Sequence, residues 1–215
     1  MKSAMIVTQI EEFTKSKSKV YIDQEFAFVL YKGELRIYGI EQGKEVSTLV
    51  YRQILGEVLP RRAKLRSMHL LKARDYTCAG LRDKLCRDLY PEAVIEEAIA
   101  YLLSFGYLDD ARYALDYIRC YHDRKSRVRL EADLRRKGVA KVVVETAWQS
   151  WREEGNEQDE TDQIRRLAEK RHFDAQTADR KAWGNFYSFL LRRGFSAESI
   201  RKAMKNHLCD DFYLT

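Results

Sequence analysis

Apolar residues follow two different spacings along the chain. Over residues 1–48 they form short β-branched or aromatic runs at 6–10, 20–22 and 26–31, divided by polar residues, a pattern typical of strands. From residue 61 onward they recur every three or four positions, which is typical of amphipathic helices. The pattern predicts a meander of two or three strands, with turns at 15–19 and 23–24. A helical part then begins at 46–59, and its first helix should end near Pro60.

The helical part contains an internal repeat. Segments beginning at Leu81, Leu130 and Phe186 align without gaps, and each has Leu four residues later. Each continues into a second helix with matching apolar positions, and a further helix precedes each pair, at about 61–74, 110–122 and 159–172. Repeats of about 20–50 residues usually stack side by side. We therefore expect a mainly α protein of three tandem three-helix repeats in an elongated array, with the small β-strand meander at its N-terminus.

Domain limits follow from this repeat. We expect an N-terminal strand segment at 1–48, a first helical repeat with its preceding helix at 49–109, a second repeat at 110–155 and a third at 156–215. The polar, acidic stretch at 155–160 is the expected connector between the second and third repeats. Gly138 and Gly194 stand where the middle helices of these two repeats should end, since Gly adopts the left-handed conformation of a helix C-terminus. Leu89 holds that place in the first repeat, where a left-handed Leu would cost about 1–2 kcal/mol. We expect that helix to end differently.

The net charge and the cysteine spacing indicate what kind of partner and which cellular compartment to expect. The 215 residues carry a net charge of +6 and the sequence pI is about 9.0, which favours polyanionic partners. The cysteines show no C-x-x-C spacing, and Cys78 and Cys86, on one helical stretch, are expected to be buried thiols. Neither a signal peptide nor a membrane-spanning run is evident, so we expect a cytoplasmic protein that does not bind membranes.

No constellation of catalytic residues is evident. Asp109 and Asp110 could form a paired carboxylate site, but no supporting His or carboxylate lies at a suitable spacing, and we expect them to start a helix. The glycines form neither a dinucleotide-binding nor a phosphate-binding loop. The sequence therefore predicts no enzyme, no metal and no cofactor. Trp148 and Trp151, at helical spacing, are expected to belong to the core.

Basic residues concentrate in the middle helices of the second and third repeats. Basic residues at a helix C-terminus complement the helix dipole, but those at 124–129 lie at the other end and need a different explanation. The third helices of the first two repeats are apolar and acidic, which argues against their reading DNA bases in the major groove. We expect a solvated binding strip, referred to below as the basic strip, made of Arg124, Lys125, Arg127, Arg129, Arg135, Arg136, Lys137, Arg192 and Arg193.

The joint between the first and second repeats carries the most specific motif. A helix should end at Gly106, and another should start at Asp109-Asp110. This joint, together with the pattern Leu130-x-x-x-Leu134-Arg135-x-Lys137-Gly138-Val139, resembles the RecX family, small bacterial regulators of the RecA recombinase. Ser126 departs from it, since members often carry Gly there. The residues that carry the signature are Gly106, Tyr107, Leu108, Asp109, Asp110, Arg112, Tyr113 and Gly138.

This resemblance implies a non-catalytic regulator. Its partners would be the RecA filament and the single-stranded DNA within it, with weak direct DNA binding as a further possibility and the protein itself a monomer. Binding would lower ATPase, strand-exchange and coprotease activity. One alternative is a stand-alone basic helical-repeat protein that binds nucleic acid. Another is a scaffold that binds neither.

Overall fold

The computed structural model describes residues 5–204 as two compact units, which divide between Asp109 and Asp110. Among the described residues, the first unit contains a four-stranded sheet and five α-helices, and the second contains six α-helices. The mainly α fold with three three-helix repeats and a small N-terminal sheet is confirmed. The finer domain limits of the sequence analysis stay a prediction.

The sheet is antiparallel, and its strands are β1 (Met5–Thr14), β2 (Lys17–Ile22), β3 (Glu25–Tyr31) and β4 (Glu45–Val46). They lie in the order β3-β2-β1-β4. Asp23 and Gln24 both have positive φ, 50° and 72°, as a tight hairpin turn requires. The sequence predicted this turn correctly but wrongly placed 17–19 in the preceding turn, and it missed β4, which pairs with Met5 and Ile6.

Helices of the first unit pack on this sheet. They are α1 (Lys32–Ile37), α2 (Thr48–Gln53), α3 (Leu59–Ala73), α4 (Cys78–Arg87) and α5 (Glu92–Ser104), with a π-helical turn at Ile54–Val58. The prediction that a helix ends near Pro60 is wrong. The wider π turn directly precedes α3, and Pro60 lies in its first turn, where a residue without an N–H is tolerated. One core joins sheet and helices, including Val7, Phe28 and Leu85.

Helices of the second unit form two further three-helix groups. They are α6 (Asp110–Tyr121), α7 (Arg127–Arg136), α8 (Lys141–Glu153), α9 (Glu160–Lys170), α10 (Arg180–Arg192) and α11 (Ala197–Ala203). The first three share a core around Leu130, Leu134 and Trp148, and the last three share one around Phe186 and Leu190. Trp148 and Trp151 are buried, as predicted.

The middle helix of every repeat ends in the same way. Gly138 and Gly194 have φ of +81° and +85°, and Leu89 has φ of +61°. In each case the left-handed residue donates its N–H to the carbonyl three residues back, and the next residue donates to the carbonyl five back, as Tyr90 does to Leu85 at 3.2 Å. The expectation that Leu89 would avoid this conformation is therefore wrong, because the two closing hydrogen bonds outweigh its steric cost.

Candidate functional site

Two basic helix ends meet inside the second unit. The start of α7, in the second repeat, packs against the end of α10, in the third. Ser126 caps α7, since its Oγ accepts from the Arg129 N–H at 3.3 Å, and the same hydroxyl donates to the carbonyl oxygen of Gly194 at 2.7 Å. The Ser126 N–H donates to the carbonyl oxygen of Arg193 at 3.1 Å. We call this contact the repeat junction.

Two glutamine side chains of the third repeat strengthen the repeat junction. Gln163 Nε2 donates to the carbonyl oxygen of His122 at 2.6 Å, and Gln158 Nε2 donates to that of Lys125 at 3.1 Å. The loop between α6 and α7 is therefore bound to the third repeat through its backbone. Sequence reasoning noted Ser126 only as a departure from the family pattern and missed Gln158 and Gln163. A polar residue in a surface-like pattern gives no sign of a distant backbone partner.

The carboxylate of Asp133 lies close to three cations of the basic strip. It lies 2.8 Å from Lys125 Nζ, 3.3 Å from Arg129 Nε and 3.7 Å from Arg136 Nη1. Burial alone would raise the pKa of Asp133, but the hydrogen bond from Lys125 and the charges of the three cations outweigh it and lower that pKa. One carboxylate thus faces three positive charges, and the surroundings remain net positive.

Lys125 is more deeply embedded than the sequence predicts. Its Nζ also donates to the hydroxyl of Tyr117 at 3.1 Å and lies over the rings of Tyr117 and Tyr121. Burial by itself would lower the pKa of Lys125, but the hydrogen bonds to Asp133 and Tyr117 raise it. Lys125 therefore helps to hold α6 against α7, besides contributing charge.

Four further cations of the basic strip, on α7 and directly after it, differ in their surroundings. Arg127 forms an ion pair with Glu131 at 2.7 Å and lies over the ring of Trp148. Arg135 and Arg136 are exposed on the last turn of α7. Lys137 Nζ lies 5.5 Å from the ring centroid of Tyr117. The strip thus combines exposed cations with cations held by ion pairs or aromatic rings.

A second group of arginines surrounds Phe189. The guanidinium of Arg171 lies 3.7 Å from the centroid of the Phe189 ring, and that of Arg193 lies 4.4 Å from it. Arg193 Nη1 also donates to the carbonyl oxygen of Arg124 at 2.7 Å. Burial first, and then the like charges of Arg171 and Arg124, lower the pKa of Arg193. Sequence reasoning missed Arg171 and Phe189, because α9 and α10 bring them to the strip only in three dimensions.

A cavity of about 290 Å³ opens at the repeat junction, and we call it the junction cavity. Four residues of the predicted strip meet there, two from each repeat. Arg124 lies beside it through its bond to Arg193. The residues that line the junction cavity are Lys125, Arg129, Phe189, Arg192 and Arg193.

The signature segment at 106–113 has a structural role. Gly106, with φ of +68°, follows α5, and Tyr107 donates its N–H to the carbonyl oxygen of Leu102 at 2.9 Å. Leu108 is buried in the core of the first unit. Asp109 directly precedes α6 and Asp110 is its first residue, which agrees with their prediction as a helix start. That either carboxylate caps the helix stays a prediction.

The structure also bears on the cysteines, on metal binding and on membrane spanning. Cys86 is exposed, so its prediction as a buried thiol is wrong, and Cys78 is half-buried. Within residues 5–204 no group of three or more His, Cys, Asp or Glu side chains is arranged to hold a metal ion. In the same part of the chain, every helix is too short or too polar to span a bilayer.

Comparison with known proteins identifies the family. Models of the first, second and third three-helix domains of RecX match residues 63–102, 109–147 and 157–204. A regulatory protein RecX from Trichlorobacter lovleyi is 35% identical over 68% of this chain and 96% of its own length. One from Clostridium acetobutylicum is 27% identical over 93% of this chain and 94% of its own length.

Solved structures agree with this result at the level of the fold. A crystal structure of regulatory protein RecX has a TM-score of 0.56 at 21% identity, over 94% of this chain and 99% of that one. RecX from Lactobacillus salivarius has a TM-score of 0.51 at 21% identity, over 69% of this chain and 96% of its own. The three matched domains, in order along the chain, and the full-length relatives lead to one conclusion: this chain belongs to the RecX family of regulatory proteins.

Proposed function

We propose that this protein binds the filament that RecA recombinase forms on single-stranded DNA. Binding lowers the ATPase, recombination and coprotease activities of the filament, and the protein itself catalyses no reaction. The identity of the partner and the activities that binding lowers are inferred from the family resemblance. The observation that carries the proposal is the repeat junction, where two repeats present one joined basic surface of Lys125, Arg129, Arg192 and Arg193.

This basic surface suits a DNA-containing partner. Hydrogen bonds between backbone and side-chain atoms hold the two repeats together at Ser126 and Gly194, so the charges are positioned before binding. A surface arranged in advance loses less conformational entropy when it binds. Positive charge also accelerates the approach to a polyanion. Both effects favour a filament whose DNA carries a regular row of phosphates.

Inhibition of ATP hydrolysis tests the proposal directly. The protein is titrated into RecA assembled on single-stranded DNA, and the rate of ATP hydrolysis is followed. We expect inhibition at a ratio of one copy of this protein to one RecA or lower. An unchanged rate at several-fold excess over RecA would contradict the proposed function.

The second candidate is a stand-alone nucleic-acid-binding protein. Arginines around Phe189 that lack a carboxylate partner within residues 5–204 favour some direct contact with DNA. Comparing the affinity for bare single-stranded DNA with that for the filament separates the two candidates. Filament regulation requires tighter binding to the filament, whereas the second candidate requires equal affinity and steep salt dependence with both.

A further inference from the structure

Two arginines at the junction cavity are ordered without being neutralised: Arg193, which lines it, and Arg171, which lies beside it on the ring of the lining residue Phe189. Phe189 holds Arg171 and Arg193 through cation–π contacts at 3.7 and 4.4 Å, and a carbonyl oxygen holds Arg193 at 2.7 Å. When a carboxylate holds an arginine in place, its negative charge cancels most of the positive potential that the arginine would present to a ligand. An aromatic ring and a carbonyl group fix a guanidinium yet leave its positive charge in place.

No described carboxylate offsets this charge at Arg171, Arg192 or Arg193. Within residues 5–204 none of the three lies within ion-pair distance of Asp or Glu, although Arg127 and Arg166 do pair in this way. Lys125 and Arg129, on the opposite wall, share the single carboxylate of Asp133. Mutual repulsion lowers the pKa of Arg193, after the larger effect of burial. An anion entering the cavity would relieve this repulsion.

We infer that the junction cavity binds one phosphate group of a nucleic-acid backbone, and that this phosphate bridges the second and third repeats. The inference deepens the proposed function, on which it rests for the identity of the nucleic acid as the single strand within the filament. Lys125 and Arg129 would contact the phosphate from α7 and the preceding loop, and Arg192 and Arg193 from the end of α10.

The small size of the cavity and the kind of donors that line it suit a phosphate group. Its volume of about 290 Å³ lies just below the range of about 300–1,000 Å³ for small-molecule sites, so a large cofactor would not fit. Guanidinium groups bind phosphate oxygens in a bidentate manner. Arg124, exposed beside the cavity, is placed to meet a neighbouring phosphate of the same strand. A polymer with regularly spaced charges therefore fits better than an isolated anion.

Removing two arginines, one that lines the cavity and one beside it, tests the phosphate site. The double variant Arg171→Gln/Arg192→Gln takes away two charges that have no described ion-pair partner. The control, Arg165→Gln/Lys181→Gln, takes away two exposed charges from α9 and α10 outside the cavity. Binding of a fluorescein-labelled oligo-dT strand is measured by anisotropy in the full-length proteins, over a series of salt concentrations, and folding is checked by circular dichroism.

We expect the double variant to bind several-fold more weakly. The slope of log affinity against log salt should become shallower by about 0.7, the value for one lost phosphate contact on a single strand. The control should keep the slope of the unchanged protein. Equal slopes for the double variant and the unchanged protein, equal losses in variant and control, or no binding of oligo-dT by the unchanged protein at low salt would each overturn the site.

Failure of the phosphate site can be told apart from failure of the proposed function. If the unchanged protein inhibits RecA but the double variant binds oligo-dT normally, the phosphate site is wrong and the regulator role stands. If the double variant loses oligo-dT binding but the unchanged protein leaves ATP hydrolysis unaffected, the site stands and the role fails. Loss of inhibition by the double variant with normal oligo-dT binding would assign the cavity to an acidic protein surface, which also overturns the phosphate site.

Discussion

Ser126 and Gly194 lie 68 positions apart in the sequence, yet the Ser126 hydroxyl donates to the Gly194 carbonyl oxygen at 2.7 Å. A Cβ atom at Gly194 would lie 2.6 Å from Ser126 Oγ and 2.7 Å from Arg129 Cβ. Gly194 therefore serves two purposes. Its positive φ ends α10, and its missing side chain lets α7 approach closely.

Substitution of Gly194 should separate these purposes. Gly194→Ala places a methyl group at an impossible distance and also forces Ala into the left-handed region. Gly155→Ala is the control in the same unit, since Gly155 has φ of +83° and no atom within 4 Å of its would-be Cβ. We expect the control to lose about 1–2 kcal/mol of unfolding free energy, the cost of a left-handed L-residue. Gly194→Ala should lose clearly more, measured by urea denaturation, and an equal loss would contradict the close approach.

Leu89 provides a test in the opposite direction. It has a positive φ of 61° and is only partly buried. Its backbone is therefore strained, and burial of its side chain does little to offset that cost. Leu89→Gly removes a steric cost of about 1–2 kcal/mol and adds an unfolded-state entropy cost of about 0.5–1 kcal/mol. We expect a small net gain in stability, seen as a higher melting temperature. A lower melting temperature would show that the Leu89 side chain contributes more to packing than its exposure indicates.

Acid should weaken the cluster around Asp133. The pKa of this carboxyl is lower in the folded protein than in the unfolded chain, where it is about 3.9. The unfolded state therefore takes up a proton first as the pH falls. The stabilisation is complete above that value and is lost as the pH drops through the folded pKa. Asp133→Asn should be less stable at pH 7 and should lose less stability between pH 5 and pH 2, as followed by urea denaturation at each pH. Parallel curves for both proteins would contradict this prediction.

The basic strip should respond differently to two sets of charge reversals. Arg124→Glu/Arg135→Glu changes exposed residues without a described carboxylate partner, so folding should be unaffected while inhibition of RecA weakens at least several-fold. Arg165→Glu/Lys181→Glu is the matched control for net charge and should inhibit normally.

A second set tests how far the strip is structural. Reversing Arg129 and Arg136 would place two new carboxylates beside buried Asp133. We expect this variant to melt at a lower temperature, because an uncompensated buried charge is costly. An unchanged melting temperature would mean that these two residues are solvated, as the charge pattern alone suggested.

Local features of the chain determined most of the fold. The apolar periodicity indicated the helices of the three repeats, since a helix must bury one face and its period is set by backbone geometry. Gly106, Gly138 and Gly194 indicated helix ends, because few other residues adopt positive φ cheaply. The family resemblance rested on the same local joint. Each of these signals acts within a few residues, so it can be seen in the sequence.

Tertiary structure decided the features that depend on distant partners. Leu89 adopts the left-handed conformation because closing hydrogen bonds and the shared repeat geometry outweigh its local preference. Arg171 and Phe189 reach the basic strip because α9 and α10 pack together, and Lys125 is embedded because Asp133 and Tyr117 surround it. The charge pattern located the strip, but only packing divided it into charges that hold the fold together and charges left for a partner. That division depends on which carboxylate lies within a few ångströms, a distance that sequence separation does not determine.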